Sequence, residues 1–153
     1  MKTILTTTAT LLALAAPAFA ESHSAGDAEK GEKEFKKCKA CHMIVSPDGD
    51  AIMKGGKTGP NLYGVVGRTA GTAEGFKYGD GLKDAAEAGF VWTEETLAAY
   101  MEDPKTWLDG QGFAKKSKMT FKMKKNQADV AAFLAVHSPD MMMKDGEETK
   151  AAD

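Results

Sequence analysis

Residues 38 to 42 read CKACH, and no other stretch restricts this chain as much. Cys38 and Cys41 are its only two cysteines. A thioredoxin-like pair requires a preceding strand and a βαβ frame, and neither is legible around residue 38. A structural zinc site needs about four ligands and usually a second Cys or His pair. The other histidines, His23 and His137, stand at opposite ends of the chain. A histidine directly after the second cysteine instead gives C-x-x-C-H, the attachment signal of a c-type haem. The two thiols add to the haem vinyl groups as thioethers, and His42 is brought against the iron as the proximal axial ligand.

The chain opens with MKTILTTTATLLALAAPAFA. One cation, a short apolar run and Ala18-Phe19-Ala20 make a secretory leader with an A-x-A cleavage site. Residues 1–20 are therefore expected to be removed, leaving Glu21 as the mature start. The remaining 133 of 153 residues suit one domain with one core. Lys2 is lost with the leader and no acid is, so the formal charge moves from −2 to −3. No later apolar run approaches the ~20 residues that cross a bilayer. The expectation is a soluble protein exported to a bacterial periplasm, with a retained leader serving as anchor the alternative.

Gly26–Lys37 is rich in helix formers, with acids early and lysines late. Gly31 and Phe35 share a face, and a mid-helix glycine, costing ~1 kcal/mol, predicts close approach by another backbone. Residues 46–58 read as loop. A turn and then a helix are expected over 74–89, and Thr93 caps TEETLAAYMED, which Asp103-Pro104 ends. Trp107 is expected in a short turn. A final helix starts at Asn126, with Val130, Phe133 and Leu134 as its apolar stripe. Residues 139–153 lack periodicity and are expected to be disordered. No strand is convincing. The reading is an all-α chain whose long loops wrap a buried cofactor.

The second axial ligand must come from a methionine or a remaining histidine. Met43 adjoins the proximal histidine, Met53 lies in a polar loop, Met101 in a helix, and Met141–Met143 in the tail. His23 sits near the mature start, and His137 ends the last helix as a solvent-exposed charge partner. Met119 and Met123 remain.

GEKEFKKCKACH, TGPNLYGVVGR, GFKY, VWTEETLAAYMEDP, KMTF and the last helix follow one another from Gly26 to Ser138. In this order they resemble the class I c-type cytochromes, close to mitochondrial cytochrome c and especially to bacterial cytochromes c2. The resemblance implies one domain over 21–138, of helices and long loops around one covalently bound haem c. It implies Met119, in Lys118-Met119-Thr120-Phe121, as the second ligand, with Phe121 beside the haem. It implies that the Pro60 carbonyl accepts from the His42 ring, that Tyr78 and Trp92 donate to a haem propionate, that Arg68 steadies it, and that Tyr100 lies near the methionine sulfur. One departure is Leu82, where the mitochondrial pattern has an asparagine. Gly31, Phe35 and Phe133 match a crossing of the first and last helices.

Lysines are unevenly placed. Lys36, Lys37 and Lys39 flank the cysteines. Residues 115–125 hold Lys115, Lys116, Lys118, Lys122, Lys124 and Lys125 with no acid. A positive ring at the haem edge is expected to steer the protein onto acidic faces of redox partners. The implied role is a monomeric one-electron carrier, not an enzyme, between a cytochrome bc1 complex and partners such as cytochrome c oxidase, a reductase or a photosynthetic reaction centre. It meets membranes only through those complexes. No aromatic residues interleave with a broad basic field, so nucleic acid is not expected. The rival is a peroxidase-like enzyme or gas sensor, which requires a distal His or Arg that the residues around Met119 do not supply.

Overall fold

The computed structural model describes residues 26–139. The expected leader, His23 and all of the expected tail except Pro139 lie outside them. Five helices dominate: α1 (Ala28–Glu34), α2 (Asp80–Glu87), α3 (Glu94–Glu102), α4 (Pro104–Gly110) and α5 (Gln127–Val136).

α1, α3 and α4 begin where the sequence offers a side-chain cap. Asp27 precedes α1, and its carboxylate accepts from the Glu29 and Lys30 amides at 3.0 and 3.1 Å. Thr93 and Thr96 form a reciprocal capping box on α3. Asp103 ends α3 and then caps α4, accepting from Thr106 N–H at 3.2 Å, with Pro104 in the first turn. Trp107 therefore sits in a helix, not in the expected turn, because one Asp-Pro pair both stops a helix and starts the next. Asn126 does precede α5, but in left-handed conformation (φ +65°) and without a side-chain cap. Asparagine tolerates that conformation better than most residues.

A second correction concerns strands. β1 (Ile44–Val45) pairs antiparallel with β2 (Ala51–Met53), and β2 falls inside the stretch read as loop. Only Ile44 is fully buried there, and β2 is largely exposed. So short a ribbon leaves no alternating pattern to read.

α1 and α5 cross at Gly31. A Cβ at this position would stand 1.9 Å from the Asp129 carbonyl oxygen and 2.7 Å from Phe133 Cβ. Only a glycine admits such contact. Beside it, Phe35 and Phe133 pack with ring centroids 5.5 Å apart, and the Asp27 amide donates to Asp129 Oδ1 at 2.8 Å. Val130, Ala131, Ala132, Phe133 and Leu134 are all buried, so α5 is covered almost all round rather than along one stripe. Burying each large side chain contributes roughly 1.5–3 kcal/mol. A second cluster gathers Phe90, Trp92, Tyr100, Trp107 and Phe113, with neighbouring rings 5.1–6.5 Å apart. A cavity lies between these two clusters, lined by Phe35, Val130 and Leu134 from the first and by Trp92 and Tyr100 from the second.

Candidate haem site

The CKACH segment is a helical turn that continues the 3-10 turn of Phe35–Lys37. Both Cys41 N–H and His42 N–H donate to the Cys38 carbonyl, at 3.0 and 2.9 Å. This turn puts Cys38, Cys41 and His42 on one wall of a cavity of ≈ 270 Å³. Leaving the ribbon, the chain folds back over the turn so closely that a Cβ at Gly55 would meet the His42 carbonyl oxygen at 1.9 Å. Gly59 packs on the imidazole itself, where a Cβ would lie 2.5 Å from His42 Cε1. His42 Nδ1 lies 2.9 Å from the Pro60 carbonyl oxygen. A carbonyl only accepts, so Nδ1 carries the proton and Nε2 keeps its lone pair for a metal. Burial pushes the imidazole below its ordinary pKa, against a smaller opposing effect of Pro60. Burial thereby favours the neutral ring, the state that ligates. Burial also pushes the Cys38 thiol up to about 11.

Asn61 organises this wall. Its side chain accepts from Val45 N–H (3.0 Å) and Tyr63 N–H (3.1 Å) and donates to the Val45 carbonyl (2.7 Å). Arg68 lines the cavity and donates to the Tyr63 and Asn61 carbonyls at 3.0 and 3.2 Å. Tyr78 also lines it. Its hydroxyl accepts from Ala73 N–H at 3.2 Å, so its own proton remains to be donated. Trp92 and Tyr100 are buried at the back, rings 5.2 Å apart. Leu82 faces the same space.

Met119 and Met101 both line the cavity, whereas Met123 does not. Met123 is 2% exposed, donates to the Met101 carbonyl at 2.8 Å, and serves the core. Met101 is buried on α3, while Met119 lies half-buried on an extended segment. Ser117 sits between Met119 and Tyr100. Its Oγ accepts from Met119 N–H at 3.1 Å and is 2.9 Å from the Tyr100 hydroxyl. Burial raises the Tyr100 pKa. Phe121 is on the cavity rim, 42% exposed. His137 is not a free exposed charge: its ring packs edge-on against Phe133 at 4.8 Å, and its carbonyl accepts from Gly64 N–H at 2.8 Å.

Lys37, Lys116 and Lys118 stand on the cavity rim. The lysine run is not without acids in space, a correction to its appearance in the chain. Lys115 pairs with Asp109 (2.8 Å), Lys116 with Asp80 (3.2 Å) and Lys122 with Asp103 (2.6 Å). Lys37 pairs with Glu34. Lys118 donates to the Lys77 carbonyl and lies over the Phe76 ring at 5.7 Å. Lys39, Lys124 and Lys125 form no ion pair within 4 Å among the described residues. Exposed pairs of this kind contribute ~0–1 kcal/mol each and exchange readily for other partners.

The cavity suits a haem. Its walls are largely apolar, two thiols and a neutral imidazole stand on one of them, and thioethers, a guanidinium and phenols complete the lining. Asn61 and Ser117 escaped the reading of the sequence. Asn61 stood inside the quoted TGPNLYGVVGR run, and Ser117 two residues before Met119, but short polar residues in loops carry no signal of which amide they will meet.

No protein-family model matches the chain. Individual proteins do. The chain is 59% identical over 144 residues to a protein named cytochrome c-550 from Paracoccus versutus, covering 92% of each. It is 57% identical over 130 residues to one named cytochrome c2 from Rhodobacter capsulatus, covering 84% of this chain and 91% of that one. Among solved structures, cytochrome c2 from Paracoccus denitrificans superposes with a TM-score of 0.72 at 64% identity, covering 75% of this chain and 98% of that one.

Proposed function

Because this chain belongs to the class I c-type cytochromes of the bacterial c2 and c-550 kind, electron-transport proteins with covalent haem c, we propose that it is a soluble, monomeric one-electron carrier of the periplasm. When bound, the haem supplies one-electron chemistry between ferrous and ferric iron. Cys38 and Cys41 would anchor it, and His42 and Met119 would ligate its iron. The observation that carries this reading is the cavity with His42 Nδ1 tied to Pro60 on one wall and Met119 on its lining.

The residues divide the work. The Pro60 carbonyl fixes the His42 tautomer and strengthens Nε2 as a donor. Met119, a neutral thioether, favours the ferrous state and raises the potential. With both residues as ligands, the chain would turn over no small substrate. Arg68, Tyr78 and Trp92 receive the propionates: the first brings charge, and Tyr78 has a proton to give. Phe121 shields the exposed edge. Lys37, Lys39, Lys115, Lys116, Lys118, Lys122, Lys124 and Lys125 face partners such as a bc1-type donor and a terminal oxidase, reductase or reaction centre. Residues 1–20 act as a cleaved leader, 21–138 as the carrier module and 139–153 as a tail.

Met119 is preferred over Met101 because it sits on an extended segment, half-buried, whereas Met101 is 7% exposed inside α3 and the core. The test is the weak far-red absorption of sulfur-to-iron charge transfer in the oxidised protein. Met119→Ala is expected to abolish it, and Met101→Leu and Met123→Leu to retain it. Loss in Met101→Leu with retention in Met119→Ala would reassign the ligand. Absence in the unsubstituted protein, with ready carbon monoxide binding on reduction, would favour a gas-binding or peroxidase-like protein.

A further inference from the structure

Between Phe113 and Met123 the chain forms a strap without regular secondary structure, and Met119 lies on it. The strap touches α2 repeatedly. The Asp84 carboxylate accepts from Ala114 N–H at 2.9 Å, in a partly buried site. Gly81 N–H donates to the Lys116 carbonyl at 3.1 Å, and a Cβ at Gly81 would stand 2.2 Å from the Ala114 carbonyl oxygen. Lys116 reaches Asp80 at 3.2 Å, but both ends of that pair are at least half exposed. An ionised acceptor makes a hydrogen bond about twice as strong as a neutral one. The Asp84 contact is thus the strongest single tie between strap and helix. α2 is itself fixed, since Ala85, the next residue, is fully buried.

We propose that Asp84 is a positioning residue for the axial thioether: by holding Ala114 N–H it keeps the strap on α2 and sets how readily Met119 gives way to a competing ligand. The proposal rests on the reading of Met119 as that ligand. Asp84 touches neither cavity nor methionine among the described contacts, so its effect is through the strap alone.

The experiment is an imidazole titration of the ferric holoprotein, followed by loss of the far-red band, together with amide exchange at Ala114, Ser117 and Met119. Asp84→Ala is expected to raise imidazole affinity by about tenfold and to speed those amides by a similar factor, the size of one lost charge-assisted hydrogen bond. Asp84→Asn keeps an acceptor oxygen and is expected to stay within about threefold of the unsubstituted protein. If Asp84→Ala does not fold, Asp84→Glu, with its carboxylate displaced by one methylene, carries the same expectation as the alanine variant. Asp129→Ala removes the 2.8 Å acceptor for Asp27 N–H at the α1–α5 crossing and controls for general loss of stability. Unchanged imidazole affinity in the Asp84 variants, or an equal rise in Asp129→Ala, overturns the proposal. Absence of the far-red band in the unsubstituted protein overturns Met119 as ligand instead, and strap anchoring then stands or falls on the exchange rates.

Discussion

Gly31 of α1 presses on the backbone of α5 at Asp129, with space for a hydrogen but not for a methyl group. The contact is backbone against backbone, so neither side can rotate away. Gly31→Ala is expected to destabilise the holoprotein by about 3 kcal/mol or more, the upper range for overpacking, despite alanine's better helix propensity. Guanidinium denaturation measures it. A cost under about 1 kcal/mol would mean that the helices separate easily.

Gly59 bears on the imidazole rather than on a helix. Gly59→Ala is expected to push the His42 ring, weaken its bond to Pro60 and shift the haem absorption and reduction potential. Gly110, at the end of α4, has nothing within 4 Å of its Cβ position and an ordinary φ. Gly110→Ala should leave both spectrum and potential alone and change stability by less than about 1 kcal/mol. Equal spectra for the two variants would show that the ring has slack.

Ser117 and Tyr100 share a hydrogen bond of 2.9 Å in a partly buried place. Tyr100→Phe and Ser117→Ala are each expected to cost about 1 kcal/mol, with a coupling of about 0.5–1.5 kcal/mol in the double-mutant cycle. Ser117→Ala should cost more than Tyr100→Phe, because it also leaves Met119 N–H without its acceptor. Additive variants would show that the two hydroxyls act independently.

Asp103 gives a pH dependence whose sign follows from its partners. Lys122 and then the Thr106 amide hold its pKa down, from 3.8 to about 2. A folded-state pKa below the unfolded value means that the unfolded chain binds the proton first. The stabilisation is complete above 3.8 and disappears as pH falls toward 2. Asp27, Glu34 and Asp80 are lowered by their lysine neighbours and act in the same direction. Asp103→Asn retains a cap acceptor for Thr106 but no charge. Its denaturation midpoint is expected to fall less steeply than that of the unsubstituted protein across this window. Parallel curves would exclude Asp103 as a source of the acid sensitivity.

Lys118 stands on the cavity rim, and Lys105 is a lysine of α4 that does not line the cavity. In the proposed carrier, Lys118→Gln is expected to slow electron transfer to a purified oxidase several-fold at low salt and hardly at all near 1 M, where the screening length is about 3 Å. Lys105→Gln should change the rate little at either salt. A rate independent of ionic strength would remove electrostatic steering from the account.

Much of the molecule is written in short stretches. CKACH names its cofactor because thioether attachment depends only on two thiols and an imidazole at fixed spacing. Asp27, Thr93 and Asp103 announce helix starts because a cap is made with amides two or three residues on. Gly31 signalled a close crossing because glycine inside a helix costs stability that some contact must return.

Other features formed only when distant segments met. Ser117 finds Tyr100 across 17 residues and Asp84 finds Ala114 across 30. The β1–β2 ribbon is held by Asn61 from outside it. Met101, Met119 and Met123 are chemically the same side chain, and composition could not say which two would face the cavity and which would fill the core. Lysines that look unopposed along the chain acquire carboxylates 6 to 36 positions away. Local spacing fixes chemistry and helix ends, since both are settled within one turn of chain. Partnership across loops depends on the path of the backbone, and that path is set by the packing of α1 and α3 on α5.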